Sequence, residues 1–123
     1  MQKTKLIIAD SAMFLRAEVK EMLGEQDAFE IQESSSASET TQLLEPGDVD
    51  ALLITVELCR GSDGFSVAAA TKKHQQLKVM VLGNIDNLSE LQGLVGEGAK
   101  EYLIRPFEAE DLRNKIDVMG IDG

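Results

Sequence analysis

A run of apolar residues from Ala51 to Val56 constrains the fold of this chain more than any other stretch. Five of its six residues are apolar without alternation, which is typical of a central parallel strand covered on both faces. The one hydroxyl, on Thr55, comes where the run passes into a loop that ends at Asp63 and Gly64. Because chemistry in open α/β sheets collects at the carboxyl ends of strands, Thr55 and its neighbours are the first candidates for a functional site.

Strand-like and helix-like patterns alternate five times along the chain. Apolar or alternating runs predict strands over residues 5–9, 29–33, 51–56, 78–82 and 101–104. One-sided apolar stripes and capping signals predict helices over 12–23, 36–44, 65–74, 87–95 and 112–119. Ser36 with Glu39, and Asn87 with Glu90, have the spacing of capping pairs. This alternation predicts one domain, residues 1–123, with helices on both faces of a parallel sheet of order 2-1-3-4-5.

Bulk properties narrow the function classes. The chain of 123 residues is long enough for one core, and no apolar run approaches the roughly 20 residues that cross a bilayer. A single cysteine, Cys59, excludes an internal disulfide and, with no signal-peptide pattern, predicts a cytoplasmic protein. A formal charge of -10 disfavours nucleic acid as a partner and suits a basic protein surface.

The segment 98–107, Gly-Ala-Lys-Glu-Tyr-Leu-Ile-Arg-Pro-Phe, resembles the ending of a response regulator receiver (CheY-like) domain. Two other pieces match in order: Ile8-Ala9-Asp10-Ser11 after the first strand, and Asp63-Gly64-Phe65 before the third helix. The resemblance spans nearly the whole chain. It implies a flavodoxin-like, doubly wound sheet of five strands with five helices, and a two-component signalling module rather than an enzyme.

Receivers of this family take a phosphoryl group from a histidine kinase onto an Asp at the end of the third strand. An acidic pair after the first strand holds Mg²⁺, a Ser or Thr after the fourth strand contacts the phosphoryl group, and a Lys before Pro neutralises it. A carboxylate suits this role because it is already ionised and can attack in line, while metal and cation offset the charge.

This sequence departs from that pattern at most of those positions. The acidic pair is reduced to Asp10, and the acceptor position falls on Thr55, or on Val56 if the loop carries no insertion. Gly83 stands where the hydroxyl belongs, and Arg105 replaces the Lys. A threonine hydroxyl is un-ionised at pH 7, so the resemblance implies a pseudo-receiver that acts independently of phosphorylation.

The individual residues leave alternatives open. Asp10 is a weak Mg²⁺ ligand, to which Glu57 could add a second carboxylate, or it caps the helix that follows. Arg105 either binds a phosphate group, or pairs with Asp10 or Glu57 and fills the pocket that a phosphoryl group would occupy in other receivers. The resemblance also implies a cis peptide bond before Pro106.

Tyr102 takes the aromatic switch position of the family. The resemblance implies that protein partners bind the face formed by the fourth helix, fifth strand and fifth helix, which also serves for dimerisation, so a homodimer is one expectation. With Gly83 nearby, the Tyr102 ring should have room to turn inward.

Two alternative functions compete with a phosphorylation-independent interaction module. The first is a phosphorelay receiver that accepts a phosphoryl group at an unconventional site, Thr55, Ser11 or Glu57. The second is a sensor that binds a small ligand in the vacated pocket.

Overall fold

The structure is a computed structural model and describes residues 3–24 and 28–121. Within these ranges strands and helices alternate along the chain, as the apolar patterns predicted. The elements are β1 (Thr4–Ala9), α1 (Met13–Leu23), β2 (Phe29–Ser34), α2 (Ala37–Leu44), β3 (Ala51–Thr55), α3 (Val67–Lys73), β4 (Lys78–Asn84), α4 (Leu88–Gly96), β5 (Glu101–Arg105) and α5 (Ala109–Val118). Short 3₁₀ turns, Val56–Cys59 and Ile85–Asn87, follow β3 and β4.

The five strands form one parallel sheet of order β2-β1-β3-β4-β5, which confirms the predicted topology. Ala9 at the end of β1 pairs with Ile54, and Thr55 at the end of β3 pairs with Leu82. Every residue of β3 is buried, as its unbroken apolar run predicted. The carboxyl ends of β1, β3 and β4 are therefore neighbours, about 4.8 Å apart from strand to strand, and the loops that follow them meet at one edge of the sheet.

The helices cover the sheet in two layers, each with its own apolar cluster. Helices α1 and α5 pack on one face through Val19, Leu23, Leu112 and Ile116. Helices α2, α3 and α4 pack on the other face through Leu44, Val67, Ala70 and Leu91. Within residues 3–24 and 28–121, every helix is too short or too polar to cross a bilayer.

Side-chain caps fix where α2 and α3 begin. The Ser36 hydroxyl accepts a hydrogen bond from the Glu39 N–H at 3.0 Å, as predicted, while the Glu39 carboxylate accepts from the N–H of Ser35 at 2.8 Å. Ser66 accepts from the Ala69 N–H at 3.1 Å, so α3 begins after Ser66, two residues later than expected.

Asn87 is the N-cap of α4, as predicted, but its side chain makes no capping hydrogen bond to the helix. Asn87 instead accepts a hydrogen bond from the N–H of Asn84 at 3.0 Å, and Asn84 accepts from the N–H of Asp86 at 3.0 Å. These two asparagines close a 3₁₀ turn ahead of the helix, and β4 runs two residues further than predicted, to Asn84. Sequence spacing could not separate the two alternatives, because an asparagine side chain can accept from backbone N–H groups on either side of it.

Candidate functional site

The candidate site lies at the carboxyl edge of the sheet, where β1, β3, β4 and β5 end. Thr55 is the last residue of β3 and is 4% exposed, so the centre of the site is a buried hydroxyl. Val56, the other candidate for this position, is 1% exposed and begins the 3₁₀ turn that follows β3. His74 is the C-cap of α3 and lies at the opposite edge, so it cannot act as a base for Thr55.

Asp10 is held on both sides of its carboxylate. Oδ1 accepts a hydrogen bond from the N–H of Ala12 at 2.9 Å, and Oδ2 contacts Nη2 of Arg105 at 3.3 Å. Arg16 adds a hydrogen bond of 2.6 Å from Nη1 to the backbone carbonyl of Asp10. Asp10 thus fixes the turn between β1 and α1, the structural alternative of the sequence analysis, although the helix N-cap itself is Ala12.

Arg105 fills the space beside Asp10. Its side chain is 19% exposed and that of Asp10 is 6% exposed, so the pair is largely removed from water. The guanidinium also lies 5.9 Å from the ring centroid of Phe107, within the range of a cation–π contact. Arg105 therefore pairs with Asp10 and not with Glu57. The peptide bond between Arg105 and Pro106 is cis, as the resemblance implied.

The site residues do not fit the Mg²⁺ ion that the resemblance implies. Magnesium is usually held by one or two carboxylates together with phosphate and water oxygens. Here Ala9 offers no ligand, and both oxygens of Asp10 already have partners in Ala12 and Arg105. In the described part of the chain, no group of three or more His, Cys, Asp or Glu residues is arranged to hold a metal ion.

The space that a side chain at position 83 would fill is already occupied in this protein by neighbouring side chains. A Cβ atom at Gly83 would lie 3.1 Å from Oδ1 of Asn87 and 3.3 Å from Cδ1 of Leu91. Asn87 and Leu91 therefore take up the space that a side chain at position 83 would need. Tyr102 pairs in register with Val81 and is partly buried against the cluster beneath α4.

An ion pair that the sequence analysis did not anticipate ties the loop after β3 to α4. Nε of Arg60 donates to Oε2 of Glu90 at 2.8 Å, and Nη2 donates to Oε1 at 2.7 Å. These hydrogen bonds lower the pKa of Glu90 below its ordinary value and raise that of Arg60. Glu90 lies in the first turn of α4, so the pair joins the loop after β3 to the helix that follows the asparagine turn.

Cys59 lies on the same loop and is partly buried. Burial, followed in effect by the charges of Glu97 and Glu90, raises the pKa of its thiol to about 12. The neighbouring Arg60 does not activate the thiol, because its guanidinium is engaged by Glu90.

The predicted site residues thus divide into two groups. Asp10 and Arg105 are in contact, and Thr55 ends the strand beside the one that carries Gly83. Glu57, by contrast, is exposed and takes no part in the Asp10–Arg105 pair.

Comparison with known proteins gives a consistent result. The family model described as the response regulator receiver domain matches residues 6–117. The chain is 22% identical over 113 residues to the chemotaxis protein CheY of Listeria monocytogenes, which covers 92% of this chain and 95% of that protein. It is 29% identical over 113 residues to the heme response regulator HssR of Staphylococcus saprophyticus, of which it spans 49%.

Solved structures show the same fold. The receiver domain of NtrX from Brucella abortus superimposes with a TM-score of 0.81 at 18% identity, covering 93% of this chain and 96% of that one.

Proposed function

The chain belongs to the response regulator receiver family of two-component signalling, whose members are signalling modules rather than enzymes, and on that premise we propose a phosphorylation-independent interaction module. The observation that carries this proposal is the buried Thr55 at the end of β3, beside the paired Asp10 and Arg105. A phosphoryl group transferred to a receiver needs an ionised carboxylate as acceptor, and a threonine hydroxyl is un-ionised at neutral pH without a positioned base. The lone Cys59 supports a cytoplasmic location as part of the proposal.

The Asp10–Arg105 pair further supports a site closed to phosphoryl chemistry. In a receiver that is phosphorylated, the cation must be available to the incoming phosphoryl group. Here Arg105 is engaged by Asp10, and its charge is offset within the pocket. A domain of this kind would keep the same conformation throughout, and it would transmit a signal only by binding to a partner protein.

We assign partner binding to the face formed by α4, β5 and α5. Three features support this choice: β5 is an edge strand, Tyr102 on β5 is only partly buried, and Val118 on α5 is 70% exposed. An aromatic side chain with a wet hydroxyl suits a protein interface, because its ring supplies apolar area and its tip a hydrogen bond. A homodimer through this face is the alternative occupant.

The test of phosphorylation is incubation with acetyl phosphate and Mg²⁺ followed by intact mass measurement. We expect no added phosphoryl mass on the wild-type chain. Added mass that disappears in Thr55→Ala but persists in Thr41→Ala, an exposed threonine of α2, would overturn the proposal. Mass that disappears in Ser11→Ala or Glu57→Gln would overturn it equally and favour an unconventional relay site.

The test of the face is recovery of binding partners by the wild type, Tyr102→Phe and Tyr102→Ala. We expect Tyr102→Phe to retain the partners and Tyr102→Ala to lose them, because the ring supplies most of the apolar contact area. Sedimentation of the three proteins tests whether the face forms a homodimer instead. The dissociation constant of such a dimer would rise in Tyr102→Ala. Unchanged recovery by Tyr102→Ala would exclude this face.

A small-ligand sensor is a second candidate, favoured by one observation. Nε of Arg105 is buried and, among the described residues, has no hydrogen-bond partner. A small ligand with an acceptor oxygen would satisfy this donor. An increase in melting temperature with inorganic phosphate that is absent in Arg105→Met would support the sensor, and no increase would argue against it.

A further inference from the structure

A small apolar cavity lies between helices α2 and α3, and we name it the α2–α3 cavity. Its volume is about 130 Å³, and three buried residues of the apolar cluster on this face form its floor: Leu44, Phe65 and Ala70. An engineered apolar cavity of roughly 150 Å³, lined by Leu, Ile and Phe, is known to bind benzene. The α2–α3 cavity therefore matches one aromatic ring in both size and lining.

An ion pair between the two helices lies at the mouth of the cavity. Nζ of Lys73, in the last turn of α3, is 3.3 Å from Oε2 of Glu45, the C-cap of α2, and both residues line the cavity. The two side chains are 62% and 58% exposed, so the pair contributes little stability and costs little to open. Because its two charges cancel, the mouth attracts neither an anion nor a cation over a neutral molecule.

A histidine without a side-chain partner also lines the cavity. His74 is half-buried, and within residues 3–24 and 28–121 its ring makes no hydrogen bond or ion pair. Neutral imidazole offers one N–H donor and one acceptor nitrogen, and a hydroxyl group can use either of them because it is itself both donor and acceptor. His74 therefore favours a ligand that carries one hydroxyl group on an apolar body.

We propose that the α2–α3 cavity binds a small phenol, a neutral molecule with one aromatic ring and one hydroxyl group. The ring would lie against Leu44, Phe65 and Ala70, and the hydroxyl group would hydrogen-bond to His74. An ion on the same ring would lose its hydration at a mouth whose charges are already matched, so its desolvation would go uncompensated. Larger ligands do not fit, since sites for drug-sized molecules usually enclose about 300 Å³ or more.

This proposal is independent of the proposed function. The cavity shares no residue with the α4–β5–α5 face or with the Asp10–Arg105 pair. Binding of a phenol can therefore fail while partner binding holds, and the reverse.

The test is a titration of the isotopically labelled chain with phenol at pH 8, followed through its amide NMR shifts. Imidazole and phenol are both uncharged at this pH, because their ordinary pKa values are about 6.5 and about 10. Benzoate and benzylamine, which place an anion and a cation on the same ring, are titrated in parallel. We expect saturable shifts in α2 and α3, and an affinity for phenol at least about fivefold above that for either ion. Absence of saturation with phenol, or equal affinity for the three molecules, would overturn the proposal.

Two adjacent alanines of α3 locate the binding site. Ala69 lines the cavity and Ala68 does not, and both are exposed, so each position accepts a larger side chain without disturbing the core. Ala69→Phe should fill the cavity and weaken phenol binding at least about tenfold, whereas Ala68→Phe should change it less than about twofold. Circular dichroism verifies that both variants fold. Equal effects of the two variants would overturn the proposal.

A change at His74 tests the hydrogen bond to the hydroxyl group. His74→Leu keeps an apolar contact but removes both ring nitrogens, so phenol should bind about twofold to tenfold less tightly. Toluene, which has a methyl group in place of the hydroxyl, should lose no affinity. Gln75→Leu, at an exposed position outside the cavity, is the control and should affect neither molecule. Equal losses for phenol and toluene in His74→Leu would overturn the proposal, because the hydroxyl group would then have no partner in His74.

Discussion

Arg60 and Glu90 join the loop after β3 to helix α4 through two parallel hydrogen bonds, of 2.8 Å from Nε and 2.7 Å from Nη2. A planar guanidinium facing a carboxylate in this way fixes orientation as well as distance. Glu90 lies in the first turn of α4, directly after the turn that Asn87 closes. The loops after β3 and β4 are therefore braced against each other by side chains.

The Arg60–Glu90 pair should contribute stability only above the titration range of its carboxylate. Hydrogen bonding to Arg60 lowers the pKa of Glu90, so the contribution is present above the unfolded value of about 4.3 and is lost as the pH falls through the lower folded value. We expect Glu90→Gln to lower the urea midpoint at pH 7 and to have little effect at pH 2. Glu97→Gln, at the other end of α4, is the control. An equal effect of Glu90→Gln at both pH values would contradict this assignment.

Gly83→Ala should destabilise the fold. Its Cβ would lie 3.1 Å from Oδ1 of Asn87, an atom held by the N–H of Asn84, so the neighbour cannot move without losing a hydrogen bond. Overpacking of this kind costs about 1 to 2 kcal/mol in free energy of unfolding, measured by urea denaturation.

The matched control for Gly83→Ala is Gly93→Ala in α4. A Cβ at Gly93 would meet nothing within 4 Å, so this variant should gain about 0.5 to 1 kcal/mol from helix propensity. Equal gains at both positions would show that the space beside Gly83 is open.

Arg105→Met should leave the Asp10 carboxylate buried without its cation. Breaking a buried pair by removing one partner costs about 3 kcal/mol, which urea denaturation at pH 7 would detect. Adding Asp10→Asn should recover part of the loss, because the remaining partner is then uncharged. Arg113→Met, which removes an exposed hydrogen bond to the carbonyl of Met22, should cost far less. A loss equal to that of Arg113→Met would mean that the Asp10–Arg105 contact is not formed.

Cys59 should react slowly in the folded protein. With a thiol pKa of about 12, the thiolate population at pH 8 is on the order of a thousandfold lower than for a free thiol, whose pKa is near 8.5. The rate with a disulfide reagent, measured with and without urea, checks this difference, and Cys59→Ser gives the baseline. Similar rates in the folded and unfolded chain would contradict the raised pKa.

The fold followed from sequence because its signals are local and mutually consistent. The unbroken apolar run at Ala51 to Thr55 and the stripes at Val19 and Leu23 each specify burial by spacing alone. Strand order then followed from the handedness of the crossovers.

The site was predicted only in part, because its contacts join residues far apart in the chain. Arg105 and Asp10 are separated by 95 positions, so a resemblance was needed to bring them together. The Arg60–Glu90 pair carries no local signal. The side-chain role of Asn87 was not predicted, because an asparagine caps a 3₁₀ turn as readily as an α-helix.

The lysines lie before or early in strands or in the last turns of helices, and thus toward the amino edge of the sheet, which has a practical consequence. Amine-reactive chemistry on these lysines would attach labels, tethers or a sensor chip there. A molecule immobilised through them would leave the carboxyl edge of the sheet, with Phe14 and Ile85, accessible to the solution.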